Sequence, residues 1–328
     1  MVDRAHVLER AQWAFETTPG TGVAAGKAVR SMSIDVGVEG QNESFRPDGE
    51  VFTTLIQPNM ESTSFRLTGK PTYPELLYPL ESLMGAPSAN VTVGTTGKRR
   101  TYGISPTVLT TAKTLTIEKG SAIRAAKITY GLFTDLGLQI TRKNGVNITG
   151  AGIGQLLTDG ITMTASPTKL PLIPILGKQV NFYIDATAAG LGTTKMLRAF
   201  SLEPSISGLY GPVWPIDSAQ ASFAGHVELA PTATFRLRLE ADATGMAYLA
   251  QYRSGDLIFC RAEATGPEYE AGHPYQFTFD VALGIKQVTN YGADEDGVTV
   301  LDYETEWTTD TTWGKALSID VETAVASV

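Results

Sequence analysis

The stretch KAVRSMSID, Lys27 to Asp35, is written a second time as KMLRAFSLE, Lys195 to Glu203, 168 residues later. Lys27/Lys195, Arg30/Arg198 and Ser33/Ser201 are identical, and Val29/Leu197, Met32/Phe200, Ile34/Leu202 and Asp35/Glu203 are conservative changes. The register extends upstream to Phe15/Tyr183 and Gly22/Gly190. A second block, TSFRL at Thr63 to Leu67, recurs as ATFRL at Ala233 to Leu237, now 170 residues apart. In that register Leu76, Tyr78 and Gly85 lie over Met246, Tyr248 and Gly255. A two-residue drift between blocks is what a loop insertion leaves. The period is far too long for a solenoid. The pattern therefore predicts two copies of one domain, residues 1–165 and 179–328, joined by the proline-containing connector SPTKLPLIPILGK at 166–178.

Within each copy the pattern reads as β. Ala28, Met32, Ile34 and Val36 share a strand face with Arg30, and TFRLRLE puts Phe235, Leu237 and Leu239 opposite Arg236, Arg238 and Glu240. Antiparallel sheets with one wet face alternate in this way. One helix per copy is expected, in PTYPELLYPLESLMG and DATGMAYLAQYRSG, with Pro79 kinking or ending the first and Gly85 and Gly255 closing them. Between the strands of the first pair lie long polar, turn-rich segments, about 37–53 and 204–221, read as loops. The first copy is longer, with an extra hairpin at about 86–122 whose Lys98, Arg99 and Arg100 read as solvated surface. Both copies close on hairpins, RKNGVNITG and ADEDGVTVLDYETEW. GAGIG at Gly150 to Gly154 reads as a strand turn rather than a nucleotide fingerprint.

Composition limits the function. With 42% apolar and 18% charged residues the chain folds, and a net charge of -8 argues against gripping nucleic acid by its phosphates. The single cysteine, Cys260, excludes an internal disulfide and a thiolate metal cluster. His6, His226 and His273 lack metal-ligand spacing, DEDG at Asp294 to Gly297 lacks the closing glutamate of a calcium loop, and no nucleophile elbow occurs. No enzyme, cofactor or metal site is expected, and no run of apolar residues is long enough to span a membrane as a helix.

Two patterns stand out. In VTVLDYETEW, Asp302, Glu304 and Glu306 occupy one strand face, either a solvated face or a negative surface that repels an anion. Arg30 and Arg198 fall on the apolar-looking face of their strands, and a buried arginine needs a partner. With Lys27 and Lys195 they are candidates for contacts between domains or between subunits.

The order of these blocks resembles the major tail tube proteins of long-tailed bacteriophages. ETTPGTGVAAGKAV at Glu16 to Val29, a long polar loop, SFRLTG, the Leu-rich helix, LTIEKG at Leu115 to Gly120 and ITYGLFTDLGLQITRKNGVNITGAG carry the resemblance in the first half, and the second half follows more faintly. The resemblance implies antiparallel β-sandwich domains with one flanking helix, whose inner sheets join around a lumen. It implies self-assembly into stacked rings, three tandem chains making a pseudo-hexamer, with DNA only in transit. Asp302, Glu304 and Glu306 would then line the lumen. Glu43, Phe45, Arg46, Asp48, Tyr210 and Trp214 would lie on loops that stack rings. It further implies tape measure, tail terminator and distal tail proteins as partners, assembly in the bacterial cytoplasm, residence in the virion tail, and no membrane binding. The alternative is a surface or baseplate-like β-sandwich module recognising carbohydrate through Trp214, Trp307 and Trp313.

Overall fold

The computed structural model describes residues 8–219 and 221–327, so His6 lies outside the described residues. The fold is mainly β. The first half contains β1 (Arg10–Phe15), β2 (Lys27–Val29), β3 (Met32–Phe45), β4 (Leu55–Gly69), α1 (Leu77–Met84), β5 (Ala89–Val93), β6 (Gly97–Tyr102), β7 (Leu115–Gly120), β8 (Ala125–Thr141), β9 (Gly145–Gly154), β10 (Leu157–Ile161) and β11 (Thr168–Lys169). The second contains β12 (Val180–Asp185), β13 (Ala199–Ser207), β14 (Tyr210–Val213), β15 (Gly225–Glu228), β16 (Thr232–Glu240), α2 (Ala243–Ala247), α3 (Leu249–Ser254), β17 (Ile258–Glu270), β18 (His273–Glu295), β19 (Val298–Trp307) and β20 (Leu317–Thr323).

The two halves pair their strands in the same order. β1–β7–β8–β9–β4–β3 in the first is matched by β12–β17–β18–β19–β16–β13 in the second. Register agrees too. Ile34 faces Leu67 across β3 and β4, and Leu202 faces Leu237 across β13 and β16, as the two sequence offsets require. The long strands β8 and β18 each slip register at one corresponding place, between Phe133 and Asp135 and between Ile285 and Gln287. The alternation read from TSFRL and ATFRL holds, since Phe65, Leu67, Phe235, Leu237 and Leu239 are all buried. Phe65 meets Phe133 edge-on at 5.0 Å, and Trp13 and Phe15 stack on Tyr78 of α1.

Several sequence expectations need correction. KAVRSMSID is not one strand: β2 ends at Val29 and β3 starts at Met32, so burial changes phase and both Val29 and Met32 reach the core. The break is held by the buried Glu75 carboxylate, which accepts the N–H groups of Arg30 (2.8 Å) and Ser31 (3.1 Å). Arg30 is therefore exposed at a strand break rather than buried in a strand face. Pro79 does not kink α1, because the helix begins at Leu77 and its first turn has no N–H to lose. GAGIG is the end of β9, not a turn. A Cβ at Gly152 would stand 2.2 Å from the Phe65 ring, so glycine there lets the ring lie across the strand.

The connector is packed on the fold, since β11 pairs in parallel with β2, and Leu170 and Ile175 are buried. The extra hairpin is β5–β6, and its basic triplet is solvated only in part, since Arg99 is exposed, Lys98 is half-buried and Arg100 is buried. β6 pairs with β20 at the far end of the chain, Arg99 bonds Glu322 at 2.7 Å, and buried Arg100 donates to the carbonyls of Val325 and Ala326. The hairpin clasps one half to the other.

Candidate functional site

A second junction joins the halves through the middle of the molecule. β8 pairs with β13, with Leu136 opposite Ile206, Gly137 opposite Ser205 and Ile140 opposite Leu202. One antiparallel sheet of eight strands results, in the order β3–β4–β9–β8–β13–β16–β19–β18. Its core face carries Ile34, Leu67, Ile140, Leu202, Leu237 and Tyr303, all buried. Its other face is polar because alternate residues point to opposite sides. Among the described residues, the outer edge of β3 and the outer edge of β18 beyond Leu283 have no strand partner. Near the start of β3 the Ile34 carbonyl accepts the Lys119 ammonium at 2.6 Å instead. A sheet edge left open presents unpaired backbone groups to other chains.

Asp302, Glu304 and Glu306 do share the polar face, opposite Arg238, Arg236 and Thr234 of β16. They are not a bare negative stripe. Asp302 is fully buried, held by Arg238 Nε (2.7 Å), Arg236 Nη2 (2.5 Å) and Asn290 Nδ2 (2.7 Å). Burial alone would raise its carboxyl, but hydrogen bonds from Arg238, Asn290 and Arg236 outweigh that and hold it at about 2. Glu304 accepts from Thr289, and Glu306 pairs with Lys286 at 2.9 Å. The sequence pattern could not show these cations because they sit on neighbouring strands. The face is polar and locally charge-balanced.

Arg30 donates to the Leu170 carbonyl of the connector (3.1 Å), and exposed Arg198 pairs with Glu240 (3.2 Å). Each is satisfied within the chain. Lys27 sits opposite Trp13 and Thr168, and Lys195 forms a bridge to Tyr183. These four residues organise the entry to each half rather than meeting at one site.

About half of the residues expected as loops are strand, 37–45, 204–207 and 210–213, and they belong to two hairpin arms that share one register. Asn42, Glu43, Ser44 and Phe45 face Pro58, Gln57, Ile56 and Leu55 in the first arm. Tyr210, Gly211, Pro212 and Val213 face Glu228, Val227, His226 and Gly225 in the second, again 168 and 170 residues on. The two-residue drift thus falls in the tips, 46–54 against 214–224.

The arms differ in surroundings. The first projects, leaving Phe45, Val51, Phe52, Leu55 and Ile56 between 47% and 80% exposed, with Arg46 and Asp48 exposed at the tip. Glu43 accepts from Asn59 across its own arm, at 2.9 Å. The second folds onto the first half. Leu209, Tyr210 and Phe223 are buried, so Tyr210 is not an exposed loop aromatic, and its hydroxyl donates to the Leu83 carbonyl (2.7 Å). Ser222 reaches the Glu61 carbonyl (2.7 Å), Gln155 donates to the Phe223 carbonyl (2.9 Å), and the Trp214 ring meets Phe223 edge-on. His226 lies 2.9 Å from the Tyr130 hydroxyl, and burial pushes its imidazole below the usual histidine range despite nearby Glu228. Tyr130 takes φ 57, an uncommon conformation for a non-glycine residue, with its N–H bonded to Glu16 at 3.0 Å. Sequence reading missed Tyr130 and Gln155, which carry no local pattern, and weighed His226 only as a metal ligand.

The three tryptophans do not converge on a sugar platform. Trp307 donates to the Thr234 carbonyl and packs on Phe279, Trp313 packs on Phe259 and under Lys315, and Trp214 belongs to the docked arm. Among the described residues no group of His, Cys, Asp or Glu is placed to hold a metal ion, and no helix is long and apolar enough to cross a membrane. No protein-family model matches the sequence, and no curated protein aligns with it significantly.

Proposed function

We propose that this chain is a structural subunit of a phage tail tube, two tail-tube β-sandwich domains in tandem, which assembles with copies of itself into rings around a lumen. The observation that carries the reading is the eight-stranded sheet with two open edges. Strand directions alternate along the whole sheet, so β18 of one chain is antiparallel to β3 of the next when the edges meet. The internal β8–β13 junction supplies the register. Leu136 opposite Ile206 corresponds to Val288 opposite Val38 of the neighbour, and Gly137 opposite Ser205 corresponds to Thr289 opposite Gly37. Closure removes both edges at once, which is how barrels avoid open-ended aggregation.

Matched strand order, matched register and matched bulges support two copies of one domain, and three such chains then make a ring of six similar units with cyclic symmetry. The polar face of the sheet lines the lumen. With its cations and carboxylates paired to each other and a chain charge of -8, that face offers DNA no grip in transit. Tape measure, terminator and distal tail proteins are the partners this role entails. Electron microscopy of the purified protein tests the reading: hollow tubes or rings with three-fold mass symmetry are expected, and a protein that stays monomeric at high concentration refutes it.

A further inference from the structure

The second arm shows where such an arm goes. It continues from β13, and it lies on the half of the molecule that owns β8, the strand to which β13 is paired. The first arm continues from β3 in the same register, yet among the described residues nothing covers its apolar side chains. We infer that the β3–β4 arm seats on the second half of the adjoining copy within the same ring, against the α3 end and the β16 entry. This rests on the tube reading, because it takes β18 of that copy as the partner of β3.

Correspondence fixes the contacts. Tyr210 touching Leu83 maps to Asn42 touching the backbone at Arg253, and Ser222 touching Glu61 maps to Phe52 touching Pro231. Arg253 is exposed and Tyr252 beside it is 44% exposed, so the receiving surface stands open in the single chain. Phe52, Leu55 and Ile56 supply the apolar area that Leu209, Tyr210 and Phe223 supply in the docked arm. The occupant is thus a second copy of this chain, and the contact lies in the plane of the ring rather than along the tube.

The geometry predicts a count. A contact passed from each chain to the next around a three-membered ring closes after three chains, whereas a contact between rings runs on along the tube. Asn42→Cys combined with Arg253→Cys, assembled and treated with a short bismaleimide, should give covalent species that stop at three chains on a denaturing gel, with neither single variant doing so. Cys260 adds little background, since it is buried and burial pushes its thiol up. A ladder continuing past three chains, or no linked product in assembled rings, overturns the inference while leaving the tube reading intact. Failure of the unaltered protein to assemble sinks both. If the double variant does not assemble, hydrogen exchange on the unaltered protein decides. Amides of the arm and those around Arg253 should slow together between monomer and ring, and unchanged rates at Arg253 overturn the contact.

Discussion

Replacing Asp302 with asparagine should remove a measurable part of the stability of the second half. Asp302 has no exposed side-chain surface and binds two arginines and Asn290. Its carboxyl is held at about 2 instead of 3.8. Such a difference corresponds to about 2 kcal/mol at neutral pH, and because Arg236 and Arg238 remain partly in water we expect a loss nearer 1–2 kcal/mol. The carboxyl is lower in the folded state than in the unfolded chain. Its contribution is therefore complete above about pH 4 and disappears as pH falls toward 2, with about half left near pH 3. Urea unfolding of the unaltered protein and of Asp302→Asn at pH 7, 4 and 3 reads this as a gap in midpoint that narrows with acid. A gap under about 0.5 kcal/mol at pH 7, or one that stays constant to pH 3, would refute the argument that ion pairing rather than packing makes this carboxylate valuable.

Three further outcomes follow from other contacts. Gly152→Ala places a methyl against the Phe65 ring and the Leu132 carbonyl, so it should cost about 1–3 kcal/mol in thermal or urea unfolding. Val38→Cys with Val288→Cys should form disulfides between chains on mild oxidation, giving a three-chain product from assembled rings, while monomers stay unlinked; disulfides only within a chain would contradict the seam register. The docked arm should loosen below about pH 6.5, because burial lowers the His226 imidazole and its neighbours are the Tyr130 hydroxyl, the Tyr210 ring and Glu228. Trp214 fluorescence against pH should report the loosening, and His226→Gln should abolish the pH dependence.

How much of this could be read from the chain depends on how local the cause is. TFRLRLE was legible because a strand with one buried face writes its alternation in adjacent letters, and β16 follows it. The shared register of the β3–β4 and β13–β16 pairs was legible because two sequence offsets suffice to align them, and the same offsets align the paired arms. The break at Arg30 and Ser31 was not, because the carboxylate that holds it comes from Glu75, 44 residues after Ser31. Arg100 looked like surface because its acceptors are carbonyls 225 and 226 residues away. That Asp302, Glu304 and Glu306 share one face was legible, but the cations that pair with them were not, because a strand's sequence is silent about the strand beside it.

The β5–β6 clasp has a mechanical meaning in the proposed ring. Inside each chain the halves are joined by β8 with β13, by the docked arm and by β6 with β20. Between chains the β18–β3 edge and the β3–β4 arm match the first two, but among the described residues the second half has no counterpart of the β5–β6 hairpin between α3 and β17. A ring of six similar units is then three stiff pairs joined by three softer hinges. Bending or internal pressure would concentrate its strain at those hinges, and a tube of this kind should split lengthwise between chains before any domain opens.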